Sequence, residues 1–354
     1  MTRFLFKCLF VAALTGTANA APWKFAVFCD GRAGNPGENG STNGVHVASM
    51  RPLAADAARE KVSLVIFPGD LVNGGTNFGT LARQLAAWKE SMAPLYAAHI
   101  PVYVCRGNHE LHQDDPPGSG AAAWQSFFPE LPRNGPDEQK GLTYKVDFNN
   151  ACFIGCDQFA GRSKTFDPDK YDSTVNAGMV SPWVIDQVRQ SKARWVFVFG
   201  HESAFIGHHT DCLANVPAER DALWDALGEK GGVYLSGHDH MYVRHWAPDC
   251  ANRPVLELLV GCAGAPPYPY DKAGLNLNYD RHVVPTDLFV NAGGDPTANT
   301  NGYPMYFGYV LITVDGSKIR GQWRAFTNYD TKHLAGLVAP EEPAFETLDA
   351  FSWP

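Results

Sequence analysis

Short apolar runs that stop at a glycine and a polar residue are the main hydrophobic pattern of this chain. In the clearest run, residues 64–67 read Leu-Val-Ile-Phe and are followed by Pro68-Gly69-Asp70. Branched and aromatic residues bounded by Pro and Gly are typical of a strand that is buried on both faces of a sheet. Because α/β proteins bind ligands at the carboxyl ends of such strands, Asp70 becomes a candidate site residue.

Four other apolar runs end in the same way, each delivering Asp, Asn or His. They occupy residues 25–30, 102–110, 195–201 and 232–240. Carboxylate, amide and imidazole groups are hard or borderline ligands for divalent ions. The five strand ends therefore predict one shared metal site.

Helical periodicity lies between the strand runs. The predicted helices cover residues 46–60, 78–98 with a break at Pro94, 121–128, 182–191 and 217–229. The β-helix-β-helix-β order at the start predicts parallel strands joined by right-handed crossovers. A hairpin is predicted next, with its turn at Asn149-Asn150. Later apolar runs predict a second sheet and cover residues 242–246, 255–260, 306–314 and 318–325.

Residues 1–20 are predicted to be a secretory signal peptide. Arg3 and Lys7 flank a short apolar run, and Ala18-Asn19-Ala20 is a small-residue cleavage site. The run is shorter than the roughly 20 residues that span a bilayer. We therefore expect an exported protein, periplasmic or secreted, with one domain over residues 21–330. The tail, residues 331–354, contains enough apolar residues to pack on this domain.

The formal charge limits the classes of binding partner, and the positions of the cysteines indicate which of them could form a disulfide. Removal of the signal leaves 27 basic against 37 acidic residues, a formal charge of about −10, which gives no general attraction for nucleic acid or anionic membranes. Cys29, Cys105, Cys152 and Cys156 lie in predicted strands and are expected to be small core residues. An exported protein permits disulfides, and a bridge between Cys212 and Cys250 is the pairing we expect.

Taken in order, the polar strand ends resemble the motifs of the calcineurin-like metallophosphoesterase family, to which purple acid phosphatases and many phosphodiesterases belong. The motifs are Asp30-Gly31-Arg32, Gly69-Asp70-Leu71-Val72-Asn73, Gly107-Asn108-His109-Glu110, Gly200-His201-Glu202 and Gly237-His238-Asp239-His240. One motif alone is weak evidence, whereas five in order are strong. The resemblance covers most of residues 25–325. It implies a four-layer α/β/β/α sandwich of two mixed β-sheets flanked by helices.

The resemblance also implies a site for two divalent ions, such as Mn, Fe or Zn. Two ions about 3.5–4 Å apart would activate a water molecule and polarise the phosphoryl oxygens. Asp70 would bridge the two ions. The first ion would also be held by Asn108, His201 and His238. The second ion would also be held by Asp30 and His240. His109 would protonate the leaving oxygen, with Glu110 orienting its ring, although a plain structural histidine is the alternative.

Arg32 and Asn73 depart from the family pattern. Many members have Asp-x-His where this chain has Asp30-Gly31-Arg32, and purple acid phosphatases have a tyrosine where it has Asn73. The second ion therefore has three protein ligands and is expected to bind more weakly, because a guanidinium cannot ligate a metal. Three hypotheses for Arg32 are open: it binds substrate phosphate, turns outward, or replaces the second ion. Asn73 is a further candidate substrate contact.

The substrate implied by the resemblance is a small phosphate ester, with a phosphomonoesterase favoured. The alternatives are a phosphodiesterase or nucleotidase, and a non-catalytic phosphate-binding protein with a weakened metal site. Aromatic side chains in two loops either stack on a leaving group or pack their own loops. These are Trp124, Phe127, Phe128, Tyr268, Tyr270 and Tyr279.

Overall fold

The computed structural model describes residues 21–33, 43–74, 78–111, 119–159, 180–207, 209, 212–266, 276–277, 286–292, 306–330 and 342–353. The strands within these ranges are β1 (Trp23–Val27), β2 (Leu64–Phe67), β3 (Val102–Val104), β4 (Tyr144–Phe148), β5 (Ala151–Gly155), β6 (Trp195–Phe199), β7 (Ile206–Gly207), β8 (Val233–Ser236), β9 (Met241–Pro248), β10 (Pro254–Val260), β11 (Asn276–Leu277), β12 (Thr286–Ala292), β13 (Tyr306–Asp315), β14 (Lys318–Asp330) and β15 (Phe345–Trp353). The α-helices are α1 (Val47–Arg59), α2 (Phe78–Ser91), α3 (Ala93–Ala97), α4 (Ser119–Phe127), α5 (Pro182–Gln190) and α6 (Pro217–Lys230).

Two mixed sheets form the centre of the fold. The first has the order β15-β14-β13-β1-β2-β3, and the second has the order β12-β9-β10-β8-β6-β5-β4. Strands β1, β2 and β3 are parallel, as are β5, β6, β8 and β10. The carboxyl ends of both parallel sets carry the polar motifs.

Aromatic side chains fill the space between the two sheets. Phe25 of β1 lies edge-on to Phe197 of β6, with ring centroids 4.9 Å apart. Trp246 of β9 stacks on Trp353 of β15 at 3.8 Å. Aromatic rings bury large apolar areas and pack well in these geometries, so they hold the two sheets face to face.

Helices cover the outer faces of both sheets. Trp88 of α2 packs against Phe67 of β2, with centroids 5.3 Å apart. On the opposite side, the indole nitrogen of Trp224 in α6 donates to the carbonyl of Ala247 in β9 at 3.0 Å. The layers therefore follow the order α/β/β/α, and the predicted fold class is confirmed.

The sheet membership of the later strands differs from the prediction. Strands β9 and β10 do extend the sheet of β6 and β8, but β13 and β14 join β1 in the first sheet. The prediction that all four form one second sheet is therefore wrong. The cause is that β13 pairs antiparallel with β1, with Phe25 opposite Ile312, a contact between residues far apart in the sequence.

The strand β15 lies at the edge of the first sheet. It pairs antiparallel with β14 and carries a buried acid, Asp349. This carboxylate forms a bidentate ion pair with Arg244 of β9, at 2.7 and 3.1 Å, and accepts a hydrogen bond from Tyr242 at 2.8 Å. Asp349 therefore connects the edge strand to the second sheet. The domain limits remain a prediction, and residues 331–341 lie outside the described ranges.

The predicted core cysteines are buried, and the predicted disulfide is absent from the described residues. Cys29, Cys105, Cys152 and Cys156 are buried as predicted. The predicted bridge is wrong, because Cys212 is buried, Cys250 is exposed and both are free. In the part of the chain that the structure describes, no helix is long and apolar enough to cross a membrane. The predicted signal peptide, residues 1–20, lies outside these ranges.

Candidate metal centre

Strand ends of both sheets meet at one edge of the fold. The acidic and amide residues follow β1, β2 and β3, and the histidines follow β6 and β8. These six residues are each at most 5% exposed: Asp30, Asp70, Asn108, His201, His238 and His240. The structure therefore brings the predicted ligands together, and their binding of metal stays a prediction.

Three of these residues have a left-handed backbone. The φ angle is 58° at Asp30, 51° at Asp70 and 72° at His238. This conformation costs a residue with a side chain roughly 1–2 kcal/mol, although Asp, Asn and His tolerate it best. Backbone strain of this kind clusters at functional sites. Here it turns the chain sharply at the strand end and directs each side chain into the centre.

Two motif glycines make this close approach possible. A Cβ at Gly107 would overlap Asp70 Oδ1, and a Cβ at Gly237 would overlap Cys29 Sγ and Asp30 Oδ2. Only glycine allows the backbone to lie so near these side chains. Gly107, before Asn108, and Gly237, before His238, are thus packing requirements of the site.

The first candidate metal position lies between Asp70, Asn108 and His201. His201 Nδ1 is 3.0 Å from the carbonyl oxygen of Pro68, so it is assigned the donated proton. Its Nε2 lies 3.0 Å from Asn108 Oδ1 and 3.2 Å from Asp70 Oδ1. A cation between these atoms would satisfy the ring nitrogen and both oxygens. Carboxylate, amide oxygen and imidazole are ligands that divalent ions take, so this donor set fits one ion.

His238 and His209 extend this position. The ring of His238 lies edge-on to that of His201, with centroids 5.0 Å apart. The ring of His209 packs on His238 at 4.3 Å, and its amide donates to Asp239 Oδ1 at 3.0 Å. His209 has no predicted role, because a histidine in a loop without periodicity carries no signal in the sequence.

Arg32 occupies the opposite side of Asp70. Its Nε lies 3.2 Å from Asp70 Oδ2, its Nη2 lies 3.2 Å from His240 Nε2 and its Nη1 lies 3.5 Å from Asn73 Oδ1. The side chain is only 13% exposed. The reading in which Arg32 turns outward is therefore wrong. The phosphate-binding and ion-replacing readings stay predictions.

The tautomer of His240 follows from its two contacts. Its Nδ1 lies 2.6 Å from the carbonyl oxygen of Pro266, which can only accept a proton. Its Nε2 faces Arg32, which can only donate. Burial first, and then the charge of Arg32, lower the pKa of His240 well below its usual value. The imidazole is therefore neutral, and its Nε2 lone pair accepts from the guanidinium.

The second candidate metal position contains converging acceptors and a cation. Asp30, Asp70 and His240 each place a ligand atom within 4.8 Å of the others. Asp30 Oδ2 accepts from the amide of His238 at 3.0 Å, and within the described ranges Asp30 Oδ1 has no hydrogen-bond partner. However, Arg32 contacts two of the three acceptors. These residues do not fit a second divalent ion while the guanidinium lies among them.

The two carboxylates differ in their electrostatics. Burial and the negative charge of Asp70 raise the pKa of Asp30 to about 7. Burial also acts to raise the pKa of Asp70, but side chains that can carry positive charge, His201 first among them, hold it well below its usual range. Asp70 is therefore the ionised carboxylate that both candidate positions share.

Glu110 organises backbone instead of a histidine. Its buried carboxylate accepts from the amides of Gly107 at 2.6 Å, Asp70 at 3.1 Å and Val72 at 3.1 Å. Burial and the charge of Asp70 raise the pKa of Glu110 to about 8, against the effect of these hydrogen bonds. Glu110 therefore joins the loops that follow β2 and β3.

The predicted role of Glu110 as the residue that orients His109 is wrong. His109 Nδ1 lies 2.8 Å from the carbonyl oxygen of Asn73, and its Nε2 lies 3.8 Å from Asp70 Oδ2. The carbonyl of Asn73 thus fixes the ring, because all three amide contacts of Glu110 are to backbone. His109 is 18% exposed, so a substrate can reach it. The proposed roles of His109 and Asn73 toward substrate stay predictions.

The loop aromatics pack where the structure describes them. Trp124 and Phe128 are buried, with ring centroids 4.6 Å apart, and Phe128 also packs on Trp88. Their contacts favour the packing role over stacking on a leaving group. Outside the described ranges lie Tyr268, Tyr270, Tyr279, His112 and His208.

Residues 46–242, more than half of the chain, match the family model of the calcineurin-like phosphoesterases. The match includes the motif of Asp70 and the three motifs after it, whereas Asp30 and Arg32 precede it. No curated protein matches the sequence significantly.

Solved structures share the architecture at low sequence identity. PhoD is 16% identical with a TM-score of 0.63, covering 95% of this chain and 70% of its own. A purple acid phosphatase from yellow lupin (Lupinus luteus) seeds is 16% identical with a TM-score of 0.58, covering 94% of this chain. This chain spans 54% of that phosphatase. GAP50, the anchor in the inner membrane complex of Plasmodium, is 12% identical with a TM-score of 0.50, covering 93% and 89%. At these identities the structures support the fold alone.

Proposed function

This chain belongs to the calcineurin-like phosphoesterase family and is a phosphoric ester hydrolase, and from that premise we propose that it is an exported, metal-dependent phosphomonoesterase. The metal dependence is supported by the position of His201 Nε2, which lies 3.0 Å from Asn108 Oδ1 and 3.2 Å from Asp70 Oδ1. Such a cluster of acceptors is the donor set of a divalent ion.

The residues that would hold this ion are Asp70, Asn108, His201 and His238. When bound, a divalent ion supplies Lewis-acid polarisation of a phosphoryl oxygen and activation of water. The protein fixes the orientation of the ligands, because Pro68 accepts the Nδ1 proton of His201 and Glu110 holds the amide of Asp70. Contacts of this kind set ligand direction and basicity in metal sites.

His109 would protonate the leaving oxygen of the ester. The carbonyl of Asn73 accepts from Nδ1, so the proton to be transferred lies on Nε2. This nitrogen faces Asp70 Oδ2 at 3.8 Å. A positioned general acid typically contributes about 10²–10⁴-fold to the rate.

The positive charge of the site supports a monoester substrate. A phosphomonoester carries a charge of about −1.5 to −2 near pH 7, whereas a diester carries a single negative charge. Arg32 lies beside Asp70 and has more N–H donors than its three protein contacts use. A guanidinium and a divalent ion on either side of Asp70 match the dianion better than the monoanion.

The experiment compares p-nitrophenyl phosphate with bis(p-nitrophenyl) phosphate. Protein stripped with a chelator is reloaded separately with Mn²⁺, Zn²⁺, Fe²⁺ or Mg²⁺, and kcat/KM is measured for each ester. We expect at least one metal to restore hydrolysis, with the monoester preferred by about tenfold or more, which corresponds to about 1.4 kcal/mol in the barrier.

The other outcomes decide between the alternatives. Faster hydrolysis of the diester favours a phosphodiesterase, and a preference for a nucleoside monophosphate over p-nitrophenyl phosphate favours a nucleotidase. Folded protein that binds phosphate but is inactive with every metal would be a binding protein. The first and the third of these results contradict the proposed phosphomonoesterase, whereas the second narrows its substrate to nucleoside monophosphates.

Export is the second part of the proposal. It is supported by the charged start, the apolar run and the Ala18-Asn19-Ala20 site of residues 1–20. The test is intact-mass analysis of the protein expressed with its full sequence in a bacterial host and fractionated. We expect a chain that begins at Ala21 outside the cytoplasm, and a chain that retains Met1 in the cytoplasm would contradict export.

A further inference from the structure

We propose that the guanidinium of Arg32 takes the place of the second divalent ion, so that each chain binds one divalent ion. This inference rests on the proposed function, because it concerns how the same site supplies positive charge to a phosphate ester. It follows from the contacts of Arg32, from its backbone position and from its charge, considered in turn.

The guanidinium lies against the groups that a second ion would need. Its Nη2 lies 3.2 Å from His240 Nε2, whose lone pair is available because Nδ1 donates to Pro266. Its Nε lies 3.2 Å from Asp70 Oδ2, the carboxylate oxygen that faces away from His201. The same two lone pairs would have to bind the second ion. One group therefore excludes the other at these atoms.

The backbone fixes Arg32 where its side chain reaches these acceptors. The amide of Arg32 donates to the carbonyl oxygen of Asp70 at 3.2 Å, and Arg32 forms an isolated β-bridge with Val45. The amide of Ala33 donates to Gly44 at 3.1 Å. Asn73 supports the end of the side chain through Nη1. An anchored arginine that is 13% exposed differs from a surface arginine that samples many rotamers.

Charge gives the third step. A guanidinium group carries a fixed positive charge in proteins and cannot ligate a metal. A divalent ion between Asp30, Asp70 and His240 would lie against this fixed positive charge, with which it has only repulsion. The Asp70 carboxylate lies between Arg32 and the residues that would hold the first ion, Asn108 and His201. Arg32 is therefore compatible with the first position and opposes the second.

The consequence is a mixed site in which a phosphate ester faces one metal ion and one guanidinium. Guanidinium groups bind phosphate oxygens through paired N–H donors. The positive charge that a dinuclear member of the family obtains from a second ion would thus be part of this polypeptide. Metal content, as well as activity, reports on this arrangement.

The test counts metal in purified full-length protein. Stripped wild-type protein is equilibrated with Mn²⁺, and bound metal per chain is measured by elemental analysis, with electron paramagnetic resonance on the same samples. We expect one Mn²⁺ per chain, with the spectrum of an isolated ion. In Arg32→His, which restores an imidazole ligand, we expect two Mn²⁺ per chain and a spin-coupled pair.

Two further variants make the result decisive. Arg32→Gln removes the charge without adding an imidazole and is expected to bind the second Mn²⁺ more weakly than Arg32→His does. Arg189→His, which places a histidine on the exposed face of α5, is the matched control and should still bind one ion. Wild-type protein with two Mn²⁺ per chain overturns the inference. So do folded Arg32 variants that both remain at one ion.

The metal stoichiometry and the hydrolytic activity test two different claims. Two bound ions with active phosphomonoester hydrolysis would overturn the role of Arg32 and leave the proposed function intact. One bound ion in protein that hydrolyses no phosphate ester would overturn the proposed function and leave the metal count intact.

Discussion

The two oxygens of Asp70 face opposite chemical environments. On the Oδ1 side, His201 Nε2 lies 3.2 Å away and is itself 3.0 Å from Asn108 Oδ1, an arrangement that suits a metal ion. On the Oδ2 side, Nε of the Arg32 guanidinium lies 3.2 Å away, and His109 Nε2 lies 3.8 Å away. One strand-end carboxylate can therefore join a group of candidate metal ligands to a position that already contains a cation.

The largest effect is expected from Asp70→Asn, because it removes the charge common to both sides. The amide keeps the shape and tolerates the left-handed backbone, but it weakens the metal ligand and leaves Arg32 without its ion-pair partner. We expect kcat/KM for p-nitrophenyl phosphate to fall by at least about 10³-fold. Activity within tenfold of wild type would contradict the central place of Asp70.

The next largest effect is expected on Mn²⁺ affinity, and it distinguishes the Oδ1 side of Asp70 from the Oδ2 side. His201→Gln replaces an imidazole ligand on the Oδ1 side with a weaker amide ligand, and we expect the Mn²⁺ dissociation constant to rise by at least about 100-fold. His240→Gln keeps an acceptor for Arg32 on the Oδ2 side, and we expect a change of no more than about threefold. Both constants are measured by equilibrium dialysis. Equal losses in the two variants would show that both sides bind metal.

His109→Gln tests proton transfer on the Oδ2 side. We expect kcat for a poor leaving group, such as a phenyl phosphate, to fall by about 10²-fold because the general acid is lost. For p-nitrophenyl phosphate, whose leaving group needs less protonation, the loss should be smaller. Mn²⁺ affinity should be unchanged. A large loss of metal affinity instead would mean that His109 acts on the ion.

The smallest effect is expected from Glu257→Gln, which weakens contacts that support the loops on the Oδ1 side. Glu257 is buried, accepts from the Ala204 amide at 2.8 Å and from Ser236 Oγ at 3.2 Å, and pairs with His245 at 2.8 Å. These contacts join the loops that carry His201 and His238. We expect Mn²⁺ affinity to fall by about tenfold. Glu229→Gln, at the end of α6, is the surface control.

Local sequence carries enough information to predict the strand ends. The runs that stop at Gly69, Gly107 and Gly237 mark positions where the backbone approaches a ligand side chain, and this requirement acts within a few residues. The order of β1, β2 and β3 follows from the same runs and from the handedness of crossovers. The six candidate ligands therefore meet as the sequence predicts.

Long-range pairing and buried charge explain what the sequence does not predict. Strand β13 joins β1 through residues nearly 300 positions apart, and no local pattern specifies this choice. In β15, Asp349 interrupts the alternation of inward apolar residues because Arg244 accompanies it. The partner of Glu110 is likewise backbone, not the adjacent His109. Each case depends on a contact that only the folded chain makes.

The left-handed backbone at Asp30, Asp70 and His238 affects how loss-of-function variants should be built. Alanine at these positions would remove the ligand and also place a less tolerant side chain at positive φ. Asparagine removes the charge or the imidazole while keeping a residue type that adopts this conformation, and glycine relieves the steric cost altogether. Asn and Gly variants at one position therefore allow two quantities to be compared. These are the loss of metal affinity and the change in the free energy of unfolding.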